Sequence, residues 1–150
     1  MAFADVDEFW QPRMKASDGQ VLSVAEFLRQ PVIHNESALR ANTWYFGSNN
    51  NRTKQLDISS KARNATLAKY LSRHITAITG EREKNIVRPE EITYMSTHLV
   101  AKGPHEYLLD PERQMRVVHY KPQYTFDEVD DSMMQYVDGV TSILHRFGFE

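Results

Sequence analysis

The stretch Thr125–Gly148, TFDEVDDSMMQYVDGVTSILHRFG, carries the most concordant local signals in the chain and decides how the rest is read. Thr125 followed by Glu128 has the form of a capping box, in which each side chain satisfies a backbone N–H at a helix start. Asp127, Glu128, Asp130 and Asp131 crowd the end of such a helix where its dipole favours negative charge. Val129, Met133, Tyr136, Val140, Ile143 and Phe147 recur at heptad spacing, and Val137 and Leu144 widen that seam into a stripe broad enough to bury. His145 and Arg146 suit a last turn, and Gly148 a C-terminal stop. The spacing predicts a long C-terminal helix that packs against a helix of this chain or of a neighbouring copy.

Upstream segments read in the same way. Phe3, Val6 and Trp10 fit a short amphipathic helix ended by Pro12. Asp18-Gly19 marks a turn, and Ser23 with Glu26 forms a second capping box, opening a helix that stops before Pro31. Thr43-Trp44-Tyr45-Phe46 has strand propensity. Gly47 to Asn51 is a polar loop. Asp57 is placed to cap a helix running to Thr79, with Leu67, Tyr70, Leu71, His74, Ile75 and Ile78 on its apolar face. Residues 81–88 read as a charged connector. Pro89 suits the first position of another helix, with Ile92, Met95 and Leu99 inside it. Residues 105–114 read as a short helix or turn interrupted by Pro111. Met115 to Tyr120 is the best strand candidate and needs a partner, for which residues 43–46 are the choice. The expected fold is mainly α (α+β): about five helices around a long C-terminal helix, with a small β-hairpin or sheet, as one domain over residues 1–150.

Composition is that of an ordinary globular chain. Of 150 residues, 41% are apolar and 25% charged, and the formal net charge of −2 does not mark a dedicated nucleic-acid or membrane protein. Cysteine is absent, which excludes a disulfide framework and a thiolate nucleophile. The first ten residues carry Asp5, Asp7 and Glu8, and no apolar run exceeds the four residues Met1 to Ala4. Neither a secretory signal nor a membrane span is expected, and cytoplasmic synthesis follows, with a virion as one destination.

Catalytic patterns are missing. There is no glycine-rich phosphate loop, no GxSxG elbow and no HExxH. His34, His74, His98, His105, His119 and His145 are scattered, and neither a metal nor a cofactor is expected. The paired carboxylates are explained by helix starts.

Charge is polarised instead. From Asn51 to Gly80, Arg52, Lys54, Lys61, Arg63, Lys69 and Arg73 face one acid, Asp57, a local balance of +5. From Thr125 onward, six acids, Asp127, Asp130 and Asp131 among them, face Arg146 alone, a balance of −5. Such complementarity can be satisfied within one fold, and it can equally steer identical copies into head-to-tail contact. The resulting expectation is a non-enzymatic structural or assembly subunit of a larger oligomer, such as a virus or phage particle. Its partners would be copies of itself or other protein subunits. The alternatives are a small helical subunit of a nucleoprotein complex, with the basic segment on phosphates, and a protein-binding adaptor or inhibitor.

Overall fold

Strands, not helices, dominate the molecule. The computed structural model describes residues 8–49, 70–77, 82–95, 98, 100–101 and 105–147. Among them run β1 (Glu8–Pro12), α1 (Val24–Phe27), β2 (Ala38–Ala41), β3 (Thr43–Asn49), β4 (Ser72–Arg73) and β5 (Lys84–Val87). There follow β6 (Tyr94–Met95), β7 (Val100–Ala101), β8 (Glu106–Leu108), β9 (Met115–Phe126), β10 (Glu128–Val129) and α2 (Val137–Arg146). A mainly α fold of about five helices is therefore incorrect; two α-helices and two 3-10 turns, Pro89–Glu91 and Met134–Tyr136, are present among the described residues.

The chain divides into two compact units. The first takes Met1–Trp44 and Thr76–His119, the second Tyr45–Ile75 and Tyr120–Glu150. β3 and β9 each pass from one unit into the other.

In the first unit β1 pairs antiparallel with the start of β9, in the register Glu8↔His119, Trp10↔Val117, Pro12↔Met115. A second sheet has the order β5-β2-β8, with Leu39 opposite Ile86 and alongside Tyr107. Side chains alternate across a strand, so one face of this sheet presents Leu39, Ala41 and Ile86. These pack with Met115 and Val117 of β9, and with Leu22, Phe27, Ile33 and Leu109, to form the main core. The other face presents Ala38 and Val87, covered by Val100, Ile92 and Met95. The segment read as a charged connector holds the fully buried strand β5. Trp10 lies on a strand and packs toward the core, which rules out an N-terminal helix at that position; Phe3 and Val6 lie outside the described residues.

Several local signals were accurate. Ser23 caps α1, its hydroxyl accepting from the Glu26 N–H at 3.2 Å while the Glu26 carboxylate accepts from the Ser23 N–H at 2.8 Å. Gly19 occupies the left-handed region at φ 83°, where a turn needs glycine. Thr43–Phe46 is a strand, and β3 is the neighbour of β9. Pro89 does open a helical turn, but the turn ends at Glu91, and Met95 pairs with Val100 in a strand. Residues 106–108 are likewise extended, with Pro111 in the turn that follows.

The second unit has the strand order β9-β3-β4-β10. Phe46 and Gly47 pair with Arg73 and Ser72, so the end of the helix expected over residues 57–79 is extended; residues 57–69 lie outside the described set. The long terminal helix is also shorter than its pattern implies. Thr125 belongs to β9, and Val129 pairs with Ser72 in β10. Asp130 then accepts from the Ser132 N–H at 3.0 Å, a local turn that competes with helix. α2 starts at Val137, and burial falls off along it: Met133 and Val137 are buried, Val140 and Tyr136 partly so, Ile143 and Phe147 exposed. Strand pairing with β4 outweighs a helical period in residues 125–129 because the ladder and the Arg73 ion pairs act together there.

Gly47 is required by close packing. A Cβ there would meet the Tyr124 carbonyl oxygen, the Lys121 carbonyl oxygen at 2.8 Å and the Phe126 ring at 3.0 Å. Two of the three are backbone, so Gly47→Ala is expected to cost about 1–3 kcal/mol, read as a lower denaturation midpoint. The Glu26 carboxyl is held below its usual range, first by the Ser23 hydroxyl and then by the Ser23 backbone N–H. A depressed carboxyl contributes stability above its unfolded pKa and loses it as pH falls through the folded one. Melting followed from neutral to acidic pH should show that loss, and Glu26→Gln should flatten it.

Candidate functional site

Three ionisable side chains meet at the edge of the main core in the first unit. Glu8 and His119 are opposite one another in the β1–β9 register and lie on the same face as Trp10 and Val117. Lys84 opens β5 on the core-facing side of its sheet, two residues before Ile86. Its Nζ lies 3.0 Å from Glu8 Oε2, and His119 Nδ1 lies 3.1 Å from Glu8 Oε1. No side chain of the three is more than 8% exposed.

Such a cluster carries a large desolvation cost, several kcal/mol per ion, which is offset only if each charge is paired in good geometry. Glu8 meets that condition by engaging both carboxylate oxygens. A carboxylate only accepts hydrogen bonds, so its contact with Nδ1 selects the imidazole tautomer protonated there and leaves Nε2 as the basic nitrogen. A base oriented by a carboxylate, itself anchored by a lysine, is an arrangement suited to proton transfer.

On the opposite face of the same β1–β9 pair lies a second polar group. The Arg116 Nε donates to Gln11 Oε1 at 2.7 Å, and the guanidinium lies 5.5 Å from the centre of the Trp44 ring. Arg116 is fully buried, and its Nη1 is 3.9 Å from Glu112. These contacts brace the β1–β9 pair on that face. Among the described residues, no three His, Asp or Glu side chains are grouped so as to hold a metal ion.

Of the residues singled out by charge, Arg52, Lys54, Lys61, Arg63 and Lys69 lie outside the described set. Arg73 is on β4, where its Nε is 2.9 Å from Asp130 Oδ2 and its Nη2 is 3.9 Å from Glu128. One member of the basic group and two of the six C-terminal acids thus meet within this chain. Asp127 and Asp131 are exposed. Glu8 and Lys84 were missed because nothing local marks them. The one usable hint was His119 inside a valine-rich strand, where a polar residue on the core side needs a partner.

Glu8, Lys84 and His119 are thus brought together from three strands far apart in sequence. The chain matches the profile of glycosyltransferase family 92 over residues 1–145, and it belongs to that family. No curated protein matches it. Membership of a glycosyltransferase family points to an enzyme and overturns the expectation of a non-enzymatic assembly subunit of a virus or phage particle. The missing motifs misled because enzymes assemble sites from residues far apart in sequence.

Removing Lys84 would leave Glu8 short of its strongest partner inside the core edge. Lys84→Met is expected to cost about 3–5 kcal/mol, measured by chemical denaturation. Adding Glu8→Gln should recover part of that loss, because the stranded charge is then gone.

Proposed function

We propose that the chain serves glycosyl transfer to an acceptor hydroxyl, with His119 as the base and Glu8 and Lys84 as its positioning residues. The observation that carries the reading is the family match over residues 1–145. The Glu8–His119–Lys84 geometry supports the assignment of roles.

The chemistry is a displacement at the anomeric carbon. The bond from that carbon to the leaving group of an activated donor breaks, and the leaving group departs with the bonding pair. The acceptor oxygen forms the new glycosidic bond, and its proton passes to His119 Nε2. The hydroxyl becomes a strong nucleophile only as it loses that proton, so a base within hydrogen-bond reach lowers the barrier. As the imidazole becomes imidazolium, the charge is stabilised by Glu8 at 3.1 Å. Lys84 keeps Glu8 fixed and leaves it acting as an acceptor for Nδ1–H. The low-dielectric surroundings strengthen each of these interactions relative to water.

The test is a transfer assay on the full-length protein with labelled nucleotide sugars and an oligosaccharide acceptor panel. His119→Gln is expected to lower kcat by about 10²–10⁴-fold, with KM little changed and the melting temperature close to that of the parent. Retention of full kcat by a folded His119→Gln variant would remove His119 from the role of base. Absence of transfer from every donor by the unmodified protein would sink the reading itself.

A further inference from the structure

The outward side of α2 is an apolar helix face left uncovered in the second unit. Met133 and Val137 turn inward and are buried, whereas Ile143 is 58% and Phe147 69% exposed. At 3.6 residues per turn, Gly139, Ser142, Ile143 and Arg146 share one side of the helix, with Asp138 and Phe147 on its two flanks. All six are exposed, and the Phe147 N–H still donates to the Ile143 carbonyl at 3.2 Å, so the helical path continues to that ring. A Cβ added at Gly139 would meet nothing within 4 Å. Glycine weakens a helix, and no neighbour among the described residues requires its small size here.

The charges on this face select its occupant. Asp138 stands in the first turn of α2, and His145 and Arg146 stand in the last. Asp138 and Arg146 lie about 12 Å apart along the axis, too far to pair with each other, and neither is ion-paired among the described residues. They are equidistant from Ser142. Two copies of α2 laid antiparallel about that residue bring each Asp138 beside the partner's Arg146. Antiparallel helices also set opposite dipole ends together. Ile143 of each copy then packs across the axis, and Gly139 leaves room for the stem of the partner's Arg146. An anionic membrane is a poorer match. A helix that lies on one carries Lys and Arg along its polar side, whereas Arg146 is the one such residue from Thr125 onward, against six acids.

We propose that α2 is a self-association face, through which two copies of this chain pair antiparallel as a symmetric dimer centred on Ser142. Ile143 and Phe147 supply the apolar contact, and Asp138 with the partner's Arg146 supplies the register, twice over by symmetry. The inference is independent of the glycosyl-transfer reading. A helix of 10 residues is about 15 Å long, so the pair buries less than the roughly 1,200–2,000 Å² of a standard interface. The dimer is accordingly weak and forms with rising concentration. The hydrophobic seam of the C-terminal sequence is thereby divided: Val129 goes to a strand, Met133 and Val137 to the chain's own interior, and Ile143 and Phe147 to the second copy.

Sedimentation velocity on the full-length protein, from about 1 μM to about 1 mM, is expected to show monomer passing into dimer. Ile143→Asp, at an exposed position, should keep the parent's circular dichroism and weaken the dimer at least about tenfold. Asp138→Arg and Arg146→Asp each set like charges together and should weaken it too. An equimolar mixture of those two variants should recover a dimer, because both pairs are then of opposite sign. The chain has no cysteine, so Ser142→Cys reports the symmetry axis directly. With copper–phenanthroline as oxidant it should give a disulfide-linked dimer, while Arg113→Cys, in the first unit and 87% exposed, should not. A monomer at every concentration would overturn the proposal. So would a dimer that Ile143→Asp leaves unchanged, or no recovery in the charge-swapped mixture. Vesicle binding by a monomer, abolished by Ile143→Asp, would also overturn it and make α2 a membrane-surface helix.

Discussion

The first unit depends on one carboxylate shared between two strands. Glu8 sits at the edge of the core with one oxygen on Lys84 of β5 and the other on His119 of β9. Neither contact is local in sequence, so both exist only after β1 has paired with β9 and β5 has joined β2. Burial makes the interaction conditional: the pairings compensate the desolvation only while all three groups are in place. Hydrophobic packing of Ile86, Val117 and Leu39 brings the sheets together, and it tolerates some slippage in register. The charged cluster does not, since a one-residue shift would turn Glu8 or Lys84 to the wrong face. The apolar core supplies the stability and the polar cluster supplies the register. The geometry of the three charged groups is then fixed by the fold itself.

Legibility of the fold in the sequence followed how local each signal was. The Ser23–Glu26 cap, the Asp18-Gly19 turn and the strand character of residues 43–46 and 115–120 were all readable, because each is decided within a few residues. The C-terminal reading failed for a different reason. Residues 125–129 have a helical period, yet Val129 is hydrogen-bonded into a strand beside β4, and Arg73 holds both Glu128 and Asp130 there. Acidic residues placed well for a helix dipole were equally well placed for an arginine on a neighbouring strand, and the sequence alone does not distinguish those uses. Similarly, Lys84–Val87 looks polar at its start but is buried throughout, because the lysine is neutralised by Glu8.

The candidate site was less legible than the fold. Grouping residues by proximity in sequence favoured the basic run from Arg52 to Arg73 and the acids after Thr125. The structure draws its buried charges from β1, β5 and β9 instead. A strand contributes one side chain per face every second residue, so a site built across strands leaves no motif with a fixed spacing. His119 had one discernible mark: a polar residue on the core side of a valine-rich strand carries an obligation to pair. Following that obligation from His119 leads to Glu8, and from Glu8 to Lys84.

The same obligation applied to the other face of β5 gives a different result. Lys84 and Ile86 turn toward the main core, where the lysine finds Glu8. Asn85 and Val87 turn the other way, where the valine packs with Ala38 and Val100 and the amide has no hydrogen-bond partner among the described residues. Burial is equally deep on both sides, so depth alone does not explain why one polar group is satisfied and its neighbour is not. A purely structural role would be filled better by an apolar side chain, since Val87 shows that this face accepts one.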